Sequence, residues 1–121
     1  MYSISNSKEN VMGNFITDWT SEELKVYLLI YCANSDFTES VSELDFIQAK
    51  HGRLCLDKMH SEYDQDNDYQ SIQKITNTIE RLNYSKEDVE YLMYDAKKLF
   101  LSDGKFDILE QNLLLGLNHI L

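Results

Sequence analysis

No proline occurs anywhere in this chain, and only four glycines occur among its 121 residues. Proline is the residue that helix interiors tolerate least, and sheet-rich folds need frequent turn residues. The expectation is an all-α fold. The length suits one domain with a real core and is too short for two ordinary ones. A hydrophobic share of 43% is enough to fill that core, so global disorder is not expected. No proline- or glycine-rich linker divides the chain.

Helical periodicity then places the elements. Residues 1–19 are polar and weakly patterned, and form an expected loosely ordered arm that docks through Val11, Phe15, Ile16 and Trp19. Residues 20–121 are expected to form a single compact bundle of five to seven helices. The first begins at Thr20, which has capping-box spacing to Glu23. Leu24, Tyr27, Leu28 and Tyr31 make one apolar stripe, and Val26, Leu29, Ile30 and Cys32 extend it nearly all round. A helix of that kind belongs at the centre of a bundle. A buried strand is the rival reading of residues 26–33; the Thr20 cap and the low share of β-branched residues favour helix.

A second helix follows Ser40, which pairs with Glu43 at the same capping spacing, and turns Val41, Leu44 and Ile47 inward. His51-Gly52 ends or kinks it, because glycine accepts a left-handed backbone. A further helix carries Leu54, Cys55, Leu56, Met59 and Tyr63. The next is marked by Ile72, Ile75, Ile79 and Leu82, and Asn83-Tyr84 breaks it. Ser85 with Asp88 caps a helix striped by Val89, Leu92, Met93, Ala96, Leu99 and Phe100. Asp107 with Glu110 caps a last one, buried through Leu113, Leu114, Leu117, Ile120 and Leu121.

One short phrase occurs twice. Ser35-Asp36 is followed by Glu43, and Ser102-Asp103 by Glu110, seven residues after the aspartate in each case. Each copy lies between an apolar run and a helix start. The expectation is two pseudo-repeated helix–acidic loop–helix corners, too far apart for a tandem solenoid and better suited to two halves related by a pseudo-twofold. The corners gather carboxylates suited to a divalent cation, calcium or magnesium. Asp36, Glu43, Asp103, Asp107 and Glu110 are the candidate ligands, with Glu39 and Ser102 as further donors, since calcium wants six to eight oxygens. A simpler explanation competes. Glu43 and Glu110 occupy the third helical position of a capping box, where orphan backbone N–H groups and the helix dipole account for a glutamate.

The stretch LFLSDGKFDILEQNLLLGL, and more weakly YCANSDFTESVSELDFI, resembles the TerB-like family of tellurite-resistance domains. The resemblance spans about residues 20–121. It implies an all-helical module carrying an acidic corner in two places, suspected of metal binding or a stress-response role. The family's acidic positions would fall on Asp36, Glu43, Asp103 and Glu110. Phe37 stands in the first copy where the second has Gly104. Tellurite resistance itself is not carried over.

The remaining chemistry is sparse. The formal charge is −10, which repels phosphate backbones and anionic lipid, and suits a metal cation or a protein partner with a basic surface. Asp64, Asp66 and Asp68 open like a calcium loop, but Tyr69 stands where glycine is required and Ile75 where the bidentate glutamate belongs. A solvated acidic loop is the expectation there. His51, His60 and His119 form no zinc-ligand pattern. Cys32 and Cys55 lack CxxC spacing and read as core residues in a reducing compartment. No nucleophile elbow, phosphate-cradling loop or other catalytic constellation is recognised, so an enzyme is not expected. Most of the eight tyrosines are expected at the core edge with hydroxyls in water, a tyrosine-lined contact patch being the alternative. With no basic region leading into an apolar one at the N-terminus, and no apolar run of membrane-spanning length, the expected setting is soluble and cytoplasmic.

Overall fold

The computed structural model describes residues 15–34 and 39–102, together with Gly116. Among these residues the regular structure is helical: α1 (Ser21–Ala33), α2 (Val41–His51), α3 (Arg53–Asp64), α4 (Asp68–Arg81) and α5 (Lys86–Ser102). No described helix is long and apolar enough to cross a membrane.

α1 is the hub, packing against each of the other four. Its sequence dictates that position. Leu24, Val26, Tyr27, Leu28, Leu29, Ile30, Cys32 and Ala33 are all buried, so beyond its exposed first turn little of this helix faces water. Ile47 of α2, Leu56 and Met59 of α3, Ile75 and Ile79 of α4, and Val89, Leu92, Ala96, Leu99 and Phe100 of α5 close the core around it. Trp19 joins that core from the preceding segment, its ring 4.4 Å from that of Tyr27.

Local chemistry fixes the helix ends. Thr20 and Glu23, and Ser40 and Glu43, form reciprocal capping boxes at α1 and α2. Ser85 and Asp88 do the same at α5, with bonds of 3.1 and 2.9 Å. Asn67 and Gln70 form a fourth box at α4, one that the sequence reading missed. α4 ends in a left-handed residue, Asn83 at φ 59°, with Tyr84 N donating to Ile79 O and Asn83 N to Glu80 O. That is a Schellman closure, with asparagine in the usual glycine place. α2 and α3 meet at a single residue, Gly52, at φ 89° and ψ 156°, a backbone region that side chains other than glycine's hardly enter.

One inward expectation, that of Val41, is corrected. Val41 is 76% exposed, because it begins the first turn of α2 before the helix reaches the core. Leu54 is 87% exposed. The turn at Gly52 aims Leu56 and Met59 at α1, and two residues along a helix is about 200° of rotation, which leaves Leu54 facing outward. In the arm, Phe15 and Trp19 are buried and Ile16 is exposed, while Val11 lies outside the described residues. Residues 15–19 are tied to α4: Asn77 Nδ2 donates to Phe15 O at 3.1 Å, and Arg81 Nη2 donates to Trp19 O.

Candidate functional site

Of the candidate ligands only Glu43 is described; Asp36, Asp103, Asp107 and Glu110 lie outside the described residues, as do most of the second corner and His119. Glu43 is 4% exposed. Its carboxylate accepts from Ser40 N at 3.2 Å and from Ser40 Oγ at 3.1 Å. Glu39, just before the cap, accepts from Asn34 Nδ2 at 2.7 Å and from His60 Nε2 at 2.7 Å. His60 Nδ1 lies 3.1 Å from Asp64 Oδ2. Burial works against a charged imidazole here, but the two carboxylates outweigh it and hold the His60 pKa above its ordinary value. At the end of α5, Ser102 Oγ donates back to Leu99 O at 2.6 Å. Among the described residues no group of three or more His, Cys, Asp or Glu is placed to hold a metal ion.

The stretch 64–68 is a correction in detail. Asp64 and Asp68 are exposed as a solvated loop would be, and Asp64 meets His60 of its own helix, but Asp66 is enclosed and bound by groups from elsewhere in the fold. Asp66 has a side chain only 6% exposed, and Lys74 Nζ donates to its Oδ1 at 2.9 Å. Lys74 also reaches Glu62 Oε2 at 3.2 Å, an oxygen that Trp19 Nε1 approaches at the same distance. Tyr27 is fully buried and its hydroxyl donates to Asp66 Oδ2 at 2.7 Å, with Ser71 Oγ 2.8 Å away. Tyr31 donates to Asp68 Oδ1 at 2.7 Å. Burial, reinforced by Asp66, raises the Tyr27 pKa strongly, and burial with Asp68 does the same to Tyr31, so both stay protonated donors. For Lys74, burial pulls the pKa down, but Asp66 and Glu62 pull harder and it ends above the ordinary lysine value. The Tyr27 hydroxyl is enclosed rather than in water, whereas the Tyr31 hydroxyl meets Asp68 at an exposed position. Both hydroxyls stitch α1 to the start of α4.

Cys32 is buried in α1, and the half-buried Cys55 has its thiol pKa raised, chiefly by burial and then by Glu22 and Glu23. His51 Nδ1 lies 3.1 Å from Glu22 Oε2, and its buried Nε2 has no hydrogen-bond partner among the described residues.

The outer face of α5 is different. Among the described residues, Glu87, Glu90, Tyr91 and Tyr94 line an open concavity of about 340 Å³. Tyr91 is 70% and Tyr94 57% exposed. Lys98 Nζ stands 4.5 Å from the Tyr94 ring centroid. Spacings of three, four and seven residues put these side chains on one stripe, opposite the buried Val89, Leu92, Ala96 and Leu99. The sequence carried the signal in Tyr91 and Tyr94, large apolar rings off the core stripe of a clear amphipathic helix. Sequence reasoning had not joined them to Glu87 and Glu90. No family model matches the chain, and no curated protein or solved structure matches it.

Proposed function

We propose that this chain is a small interaction module, TerB-like in architecture, whose acidic surface docks a protein partner of basic character. The observation that carries this reading is how the charges are distributed. The formal charge is −10. Lys50, Arg53, Lys58 and Lys74 are already engaged with Asp95, Asp57, Glu23, and Glu62 with Asp66. The enclosed carboxylates Glu43 and Asp66 are capped or paired, while Glu87 and Glu90 stand exposed on the outer face of α5. Such a surface steers basic partners toward it and repels nucleic acid.

The doubled Ser-Asp phrase favours a second reading, a divalent cation held at the acidic corners by Asp36, Glu43, Asp103, Asp107 and Glu110. The bond from Ser40 to the Glu43 carboxylate counts against it at the first corner, since a metal would have to displace the cap. Thermal melting of the full chain with millimolar calcium, magnesium and manganese, and with EDTA, separates the two. An unchanged Tm in every condition is expected from the docking module. A rise with one cation that EDTA reverses would favour the cation reading.

A further inference from the structure

We infer that the outer face of α5 is a seat for a cationic side chain of a basic peptide, arginine foremost, with Tyr91 and Tyr94 supplying ring faces and Glu87 and Glu90 the opposing charge. The inference rests on the docking reading above and gives it a place and a chemistry. Four observations converge. The concavity of about 340 Å³ is within the size range of small-ligand sites and admits a guanidinium with its stem. Its two rings take no part in the core, being 70% and 57% exposed. Neither Glu87 nor Glu90 pairs with a described cation, so their charge is open to a partner's. Finally, Lys98 Nζ stands 4.5 Å from the Tyr94 ring centroid, a cation–π contact of the kind that an incoming guanidinium would make on Tyr91 and would have to displace or share on Tyr94.

Arginine fits better than lysine. A planar guanidinium stacks on a tyrosine ring and still has edge N–H groups to donate to carboxylates, whereas an ammonium is a compact, strongly hydrated point charge. Among the described residues the seat faces away from the buried stripe of α5 that packs on the core.

The test is an NMR titration of the full, isotope-labelled chain with an acetylated peptide of alternating glycine and arginine, beside a control peptide with glutamine for arginine. Shift changes centred on residues 87–98 are expected, with no response to the control. Tyr91→Ala and Tyr94→Ala are each expected to weaken binding by about tenfold, the order of one cation–π contact. Glu87→Gln with Glu90→Gln should weaken it further and flatten its salt dependence. All four positions are exposed, so the variants are expected to keep the wild-type circular dichroism and Tm. Salt-sensitive binding that maps elsewhere and ignores the tyrosine changes would overturn the seat and leave the docking reading standing. No binding of the arginine peptide at low salt would overturn both. Nuclear Overhauser contacts in the free chain from the Tyr91 or Tyr94 ring to residues 103–121, or concentration-dependent contacts to a second copy, would assign the face to that occupant and overturn the inference.

Discussion

His60 and Lys74 show how single side chains tie distant parts of this fold. His60 links α3 to Glu39, just ahead of the α2 cap, and its pKa is held above the ordinary 6.5. A raised folded-state pKa means that the tie contributes fully below the unfolded value and is lost as pH rises through the folded one. His60→Gln should therefore lower Tm more at pH 6 than at pH 9, and the gap between variant and wild type should close across that interval. Thermal melts at a series of pH values check this; a gap independent of pH would show that the imidazolium adds nothing. Lys74 holds Asp66, whose side chain is almost wholly enclosed. Removing one partner of an enclosed pair leaves an uncompensated charge, which costs about 3–5 kcal/mol when burial is complete and less when the lysine is partly exposed. Lys74→Met is expected to cost about 2 kcal/mol in urea denaturation, with Asp66→Asn/Lys74→Met recovering part of it.

The helix is the scale at which the sequence was most legible. Thr20, Ser40 and Ser85 each stand three residues before the acidic side chain that completes the box, so the start of α1, α2 and α5 was readable from local spacing alone. The stripes of α4 and α5 were readable for the same reason. Faces were harder. Leu54 turned outward because its direction depends on the turn at Gly52, which no periodicity within α3 encodes. The pairing of Tyr27 with Asp66 was invisible because it joins positions 39 residues apart, and only the packing of α1 on its neighbours brings them together. The doubled corner was legible as a phrase, yet four of its five carboxylates lie outside the described residues. Two substitutions probe the element ends. Ser40→Ala removes the α2 cap and should cost about 1 kcal/mol by chemical denaturation. Gly52→Ala meets open space but must take a backbone region that a Cβ disfavours, so a loss of about 1–3 kcal/mol is expected from strain alone.

At the scale of the whole molecule, two requirements meet. Burial of a helix that is apolar nearly all round from Val26 onward gathers the other helices about it, and a −10 charge must then reside largely on what remains outside. Self-repulsion of that charge destabilises the compact state, so added sodium chloride should raise Tm until screening is complete. The same charge gives the surface its partner preference, with the tyrosine face of α5 as the place where charge and apolar contact coincide. Isothermal titration of the full chain with an arginine-rich peptide tests this most directly. Run at low ionic strength and again at roughly 1 M salt, where the screening length falls to about 3 Å, it should give saturable binding in the first condition and little in the second. No saturable binding at low ionic strength, or binding that salt leaves unchanged, would contradict an acidic docking surface.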